Sequence, residues 1–207
     1  MTRVRGLAAG AMLLALGAGP ALADGLALLV GNRAYAHAAW MYGAERALDN
    51  ARMLERRGFV VVSGRDIRSG EIAQALGEIE DRLADADRIV IHLNGHFVHS
   101  ANLSWFVPVD LRTPSLATVG RHALSVETVL AMAASKPGGA VVLLGSEPRR
   151  IALGAGLEPG LGTLAIPQGV TVVTGPPGAL ADFLSGSLME PGTSLAEAAA
   201  QAPDGVT

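Results

Sequence analysis

Short apolar runs alternate along the chain with segments whose apolar residues recur at helical spacing. Continuous apolar runs, which are typical of buried parallel strands, occur at 26–31, 59–62, 88–93, 139–145 and 170–174. Helices are predicted over 44–57, 69–83, 125–134 and 179–188, and the capping-box sequence Ser194-Leu195-Ala196-Glu197 opens a short last helix. Strands that alternate with helices predict an α/β fold in which helices flank a mostly parallel central sheet.

The remaining segments add one hairpin and one long loop. Residues 98–109 are predicted to form an extended hairpin with Trp105 and Phe106 in its return arm. Residues 145–168 are rich in glycine and proline, which predicts a loop. The glycines of this loop precede no clear helix N-terminus, so they make a poor phosphate-binding loop. With no internal repeat in view, residues 24–207 are interpreted as a single domain.

The N-terminal residues have the pattern of a secretory signal. Arg3 and Arg5 precede a short apolar segment at 7–16, and Ala21-Leu22-Ala23 has the small-x-small form of a cleavage site. We therefore expect residues 1–23 to be a cleaved signal peptide and the protein to be periplasmic or secreted. The alternative is an uncleaved membrane anchor, although the apolar segment is shorter than the roughly 20 residues of a spanning helix.

The composition and net charge of the chain suit a single globular domain and argue against a nucleic-acid partner. The chain of 207 residues is 50% hydrophobic and 17% charged, as suits one domain with a sizeable core. Its formal net charge is −3, and loss of Arg3 and Arg5 with the signal would bring it to −5. Because no basic surface is evident, no nucleic-acid partner is predicted.

Polar residues follow two of the predicted strands. Asn94-Gly95-His96 closes the third strand and Gly145-Ser146-Glu147 closes the fourth. Sites in doubly wound sheets lie at the carboxyl ends of strands, so these two segments are the candidate site. His96 is either a general base or a relic that hydrogen-bonds locally. Ser146 is either a nucleophile that His96 activates or a turn residue, since no Gly-x-Ser-x-Gly elbow surrounds it.

Three histidines invite a metal-binding interpretation. His92, His96 and His99 fall within eight residues, but no carboxylate spacing nearby resembles a zinc motif. His92 lies inside an apolar run and is interpreted as a core residue. The sequence therefore predicts neither a metal site nor a cofactor.

The large aromatic residues offer two interpretations. Trp40, Tyr42, Trp105 and Phe106 supply most of them and would suit a peptide-binding cleft. Core packing is the simpler expectation for Trp105 and Phe106, because both lie in a predicted strand.

Four segments, taken in order, resemble the bacterial caspase-like peptidase domain, the group of caspases, metacaspases and related proteins. They are Leu28-Leu29-Val30-Gly31-Asn32-Arg33-Ala34-Tyr35, Gly58-Phe59-Val60-Val61, Gly95-His96 with the later Phe106-Val107-Pro108-Val109-Asp110, and 169–178. Together they span about residues 26–200. The resemblance implies a three-layer caspase-like fold whose catalytic histidine is His96.

The resemblance also implies a nucleophilic cysteine after the fourth strand, yet the chain contains no cysteine. Matching the aliphatic run places Glu147 at the cysteine position, and a shift of one residue would place Ser146 there. The family usually has glycine after the histidine, where its amide helps to hold the oxyanion. Phe97 stands there in this chain and keeps the amide while adding bulk. The stretch that matches the family's acidic substrate pocket reads Glu45-Arg46-Ala47.

These features predict an exported caspase-like protein that lacks peptidase activity and acts by binding a protein or peptide. One alternative is a residual hydrolase that uses Ser146 and His96, and another is a structural or assembly module. Glu147 is expected either to pair with His96 where a thiolate once stood or to lie exposed beside Arg149 and Arg150. Membrane association is expected only if the signal segment stays attached.

Overall fold

A parallel five-stranded sheet forms the centre of the protein. The computed structural model describes residues 25–190 and 195–207. The strands of this sheet lie in the order β2-β1-β3-β7-β9, with bounds Gly25–Gly31 (β1), Phe59–Arg65 (β2), Arg88–Asn94 (β3), Ala140–Gly145 (β7) and Val170–Gly175 (β9). Every neighbouring pair is parallel. The predicted signal segment and Ser194 of the predicted capping box lie outside the described residues.

Helices cover both faces of the sheet. Their bounds are Ala51–Arg56 (α1), Ser69–Leu83 (α2), Val126–Ala134 (α3), Pro177–Ser185 (α4) and Leu195–Ala200 (α5). One core cluster joins α2 and α3 to the side of β1 that carries Leu26 and Leu28. The other joins α1, α4 and α5 to the side that carries Ala27 and Leu29. The predicted three-layer α/β architecture, with a mostly parallel central sheet between helices, is therefore confirmed.

A second, antiparallel sheet lies beyond the end of β3. Its strands have the order β6-β5-β4-β8, with bounds Phe97–His99 (β4), Ser104–Phe106 (β5), Leu124–Ser125 (β6) and Glu158–Pro159 (β8). The β4–β5 hairpin confirms the prediction for 98–109. The strand β8 lies inside the segment predicted as a loop, so that prediction was partly wrong. The strand β8 is only two residues long and pairs with the distant β4. So short a strand shows no periodic pattern that the local sequence could reveal.

The first two predicted helices begin in different ways. The segment Ala44–Asn50 is a 3-10 helix that leads into α1. The Ala44 carbonyl at its start accepts a hydrogen bond from Asn94 Nδ2 at 3.3 Å. The helix α2 begins at Ser69 as predicted, and the amide of Arg68, the residue before it, donates to the Glu71 carboxylate at 2.7 Å.

The last helices also differ at their ends. The helix α4 begins two residues before its predicted start and stops at Ser185, after which Ser187–Met189 forms a 3-10 turn. Pro177 suits the first turn, where a missing amide costs nothing. None of the helices in the described ranges has both the length and the apolar character that a membrane crossing requires.

Candidate functional site

A cavity of about 340 Å³ opens at the carboxyl edge of the central sheet. It is lined by His96, Phe97, Ser146, Glu147, Pro148, Arg149, Ile151, Pro159 and Gly160. The strands β3 and β7 are neighbours with Asn94 opposite Gly145, so the two segments that follow them meet at one place. The four residues that the sequence singled out therefore line one cavity.

The main chain of His96 is fixed by Tyr35. The His96 amide donates to Tyr35 Oη at 2.8 Å, and that hydroxyl donates to the Val107 carbonyl at 3.1 Å. The two rings also meet edge to face, with centroids 4.5 Å apart. Burial of the hydroxyl raises the pKa of Tyr35, so it stays protonated and keeps both bonds at physiological pH.

The turn that carries His96 requires glycine at position 95. A Cβ built at Gly95 would lie 2.5 Å from Tyr35 Oη and 2.8 Å from the Phe106 ring. Both groups are buried and cannot move aside without breaking the contacts that fix His96. The close approach of Tyr35 to the main chain thus depends on the absence of a side chain there.

The imidazole of His96 has a defined tautomer. Its Nε2 lies 2.7 Å from the Ala39 carbonyl, and because a carbonyl only accepts, Nε2 carries the proton. The Nδ1 atom is then left with its lone pair, as a base would require. Burial lowers the pKa of His96, the bond to Ala39 raises it, and the charge of Arg149 lowers it. The net shift is downward, so the ring is neutral near pH 7.

Two buried asparagines connect the loops around His96. Asn32 accepts from the Ile67 amide at 2.9 Å and donates to the Val107 carbonyl at 3.0 Å. Asn94 accepts from His92 Nε2 at 3.0 Å and donates to the carbonyls of Ala44 and Pro177, each at 3.3 Å. These side-chain amides join β1, β3, α4 and the β4–β5 hairpin behind the cavity.

The segment after β7 is held by fewer contacts. The Ser146 amide donates to the Gly175 carbonyl at 3.0 Å, which continues the ladder toward β9. The Ser146 hydroxyl makes no hydrogen bond to His96 within residues 25–190. Gly145 has no room for a side chain, because a Cβ there would overlap Asn94 Oδ1.

Glu147 is paired with Arg149 at the mouth of the cavity. Arg149 donates to the Glu147 carboxylate at 2.8 Å, and the two side chains are 40% and 35% exposed. The sequence left open whether Glu147 would pair with His96 or lie exposed beside Arg149. In the structure, Glu147 pairs with Arg149. An ion pair this exposed is worth at most about 1 kcal/mol, so Glu147 is not locked in place.

Phe97 continues from His96 into β4 and is buried. Its ring packs on Phe106 with centroids 5.2 Å apart, and its carbonyl accepts from the Gly160 amide at 2.8 Å. The bulky side chain therefore points into the core contacts of the hairpin. The cavity remains open although Phe97 is one of the residues that line it.

The aromatic residues divide into two groups. Trp105 and Phe106 are buried in the β4–β5 hairpin, as expected for core residues. Trp40 and Tyr42 are 48% and 56% exposed, and their ring centroids lie 6.2 Å apart beside the cavity. Arg149 lines both the cavity and the shallow surface formed by these two rings.

The three neighbouring histidines have separate partners. His92 is fully buried and bonded to Asn94, while His99 Nδ1 lies 3.2 Å from the Gly160 carbonyl. Within the described ranges, no group of three or more His, Cys, Asp or Glu side chains is placed to bind a metal ion. His92 and His99 each point their bonded nitrogen at a neutral oxygen of the protein.

Sequence reasoning missed the residues that position His96. Tyr35 lies in the segment 28–35 that carries the resemblance, but its sequence context does not predict a contact with His96. The Ala39 carbonyl could not be foreseen, because every residue has a main-chain carbonyl. Asn94 had a usable signal, since a polar side chain at the end of an apolar central strand needs buried partners.

The comparisons with known proteins find similarity in structure alone. No protein-family model matches the chain, and no curated protein matches it either. Among solved structures, the chain is similar to the Drosophila initiator caspase Dronc, with 12% identity and a TM-score of 0.44 over 59% of this chain. The match spans about half (48%) of the Dronc chain. It is also similar to pro-sf-caspase-1, with 14% identity and a TM-score of 0.49 over 84% of this chain and 73% of that one.

Proposed function

We propose that this protein is an exported, caspase-like pseudopeptidase that binds an extended peptide or protein segment in the His96 cavity. The observation that carries the proposal is the meeting of His96, Phe97, Ser146 and Glu147 around one cavity of about 340 Å³. A cavity of this size, mostly apolar with a few convergent polar groups, is typical of a ligand site.

The absence of a thiol supports the inactive assignment. Cysteine peptidases attack the scissile carbonyl with a thiolate, and this chain contains no cysteine. Glu147, which we place at the cysteine position, pairs with Arg149. A carboxylate at that point fills the place of the nucleophile without supplying acyl-transfer chemistry. Thiol-directed inhibitors are accordingly expected to have no effect on the protein.

A second function has one observation in its favour. Ser146 and His96 line the same cavity, and the imidazole presents an unprotonated Nδ1. A serine hydrolase would need the Ser146 hydroxyl to donate to that nitrogen, with a main-chain amide such as that of Phe97 receiving the oxyanion. We therefore retain this residual hydrolase as the alternative.

Turnover separates the two functions. The purified protein is incubated with a pooled fluorogenic peptide library beside His96→Ala and Ser146→Ala. We expect no turnover above the variants. Turnover that disappears in both variants would instead identify a serine-dependent hydrolase and end the pseudopeptidase proposal.

Peptide capture tests the binding function directly. A library is passed over the immobilised protein and over Ser146→Trp, whose indole would occupy the cavity. Enrichment of peptides by the wild type that falls at least about tenfold in Ser146→Trp is the expected result. Equal enrichment by both proteins would mean that the cavity is not the binding site.

A further inference from the structure

Beside the cavity lies an exposed surface formed by Trp40, Tyr42 and two arginines, here called the aromatic rim. The Arg33 guanidinium lies 5.7 Å from the Trp40 ring and 5.5 Å from the Tyr42 ring. Arg149 lies 5.9 Å from the same Tyr42 ring. Three cation–π contacts, one to Trp40 and two to Tyr42, hold the two rings while each remains about half exposed.

Five residues in and beside the neighbouring cavity have no main-chain amide left to pair with a β-strand. The amides of Ala39, Ser146 and Gly160 already donate to carbonyls of the protein. Pro148 and Pro159 have no amide to give. A ligand that bound by adding a strand would need a row of free main-chain donors and acceptors, which these residues do not offer.

A polyproline II segment has the opposite requirement. It binds by stacking its rings and side chains on exposed aromatics, and needs only a few donors for its own carbonyls. The aromatic rim provides two rings at 6.2 Å, and the Trp40 indole N–H donates to no acceptor within the described residues. The chemistry of the surface therefore fits a proline-rich ligand.

The charge at the rim adds a second feature of the ligand. Arg33 is paired with Glu45 at 3.2 Å and Arg149 with Glu147 at 2.8 Å. Arg150 is exposed, and its side chain forms no ion pair in the part of the chain that the structure describes. The Arg150 carbonyl accepts a hydrogen bond from the amide of Ala39, the residue before Trp40, so the main chain of this cation lies next to the rim. A carboxylate of the ligand would complement its charge.

We propose that the aromatic rim binds a proline-rich polyproline II segment that carries an acidic residue next to its prolines. This inference rests on the proposed peptide-binding function and names the class of partner that the same site would take. The prolines would stack on Trp40 and Tyr42, the acidic residue would meet Arg150, and the chain would continue into the His96 cavity.

Fluorescence anisotropy with three labelled peptides tests the proposal. The first contains a Pro-Pro-Leu-Pro repeat followed by Asp-Glu, the second replaces each proline by alanine, and the third replaces Asp-Glu by Lys-Lys. We expect the first peptide to bind at least about tenfold more tightly than the second, and more tightly than the third. Equal affinity for the first two peptides would overturn the proposal.

Protein variants locate the binding. Trp40→Ala and Tyr42→Ala should each weaken the first peptide about tenfold, while Ile166→Ala, which removes another exposed apolar side chain, should not. Trp105 is buried, so a blue shift of tryptophan emission on binding should report Trp40 and vanish in Trp40→Ala. Unchanged affinity in both aromatic variants would contradict the inference even if peptides bind.

Ser146→Trp distinguishes this inference from the proposed function. Loss of binding in Ser146→Trp without preference for proline would preserve the peptide-binding function and refute the rim. Binding that depends on Trp40 but is unaffected by Ser146→Trp would support the rim and refute the cavity. No binding of any of the three peptides or of the pooled library would refute both.

Discussion

The two segments that meet at the cavity are fixed to very different degrees. On the β3 side, His96 is buried and bonded through its main chain to Tyr35 and through its ring to Ala39. On the β7 side, Ser146 has one main-chain bond, and Glu147 is half-exposed and paired with a surface arginine. His96 is thus held through both its main chain and its ring, whereas the segment after β7 has the contacts of an ordinary surface loop.

The largest expected effect comes from a side chain at the end of β7. Gly145→Ala would place a Cβ against Asn94 Oδ1, and overpacking of this kind should destabilise the protein by about 3 kcal/mol. Urea denaturation measures the loss. Gly77→Ala in α2, where a Cβ meets nothing within 4 Å, is the control and should stabilise by up to about 1 kcal/mol. Equal stability of the two variants would show that the strand end adjusts freely.

The stability of the protein at acid pH tests the buried His92 in β3. Burial lowers the pKa of His92 from 6.5 to about 4, so the folded state favours the neutral imidazole. Above pH 6.5 this imidazole is neutral in the unfolded state as well, and protonation costs the folded protein no stability. As the pH falls from 6.5 toward 4, the unfolded state binds the extra proton and stability falls by roughly 3 kcal/mol. Urea midpoints across this range measure the loss.

His92→Gln is the control for the acid experiment. It keeps a donor for Asn94 but has no group that titrates in this range. We expect its stability to fall less steeply with pH than that of the wild type. Parallel pH profiles for the two proteins would mean that other groups carry the acid sensitivity.

Removal of one hydroxyl tests the fixation of His96. Tyr35→Phe leaves the His96 amide without an acceptor, at a cost of about 1–3 kcal/mol, while the Val107 carbonyl keeps the bond from Asn32. The matched control, Tyr42→Phe, removes an exposed hydroxyl and should change stability by less than about 0.5 kcal/mol. A loss in Tyr35→Phe no larger than in the control would deny this bond its positioning role.

The smallest effect is expected in the segment that follows β7. Glu147→Gln breaks an exposed pair and should cost less than about 1 kcal/mol. Arg149→Gln removes a charge that lowers the pKa of His96, so that pKa should rise. Titration of the His96 ring by NMR measures the shift. A fall in that pKa would mean that the charge acts elsewhere.

Much of the fold and the residues of the site could be predicted because their signals are local. Continuous apolar runs marked the parallel strands, and carboxyl ends of neighbouring strands meet at one edge, which brought His96 and Ser146 together. The strand β8 and the bond from His96 to Ala39 could not be predicted in this way. Both join segments about 60 residues apart, and both use main-chain groups. Because almost every residue carries these groups, the residue types in the sequence do not reveal such contacts.

The overlap between the Asn94 side chain and the space above Gly145 also restricts how this sequence can change. Any path that gives residue 145 a side chain must first shorten or move Asn94, because the reverse order passes through a protein with two groups in one place. Shortening Asn94 removes its bonds to Ala44 and Pro177, so the first step carries its own loss. The two positions are epistatic, and substitutions at them are expected to be tolerated in one order only.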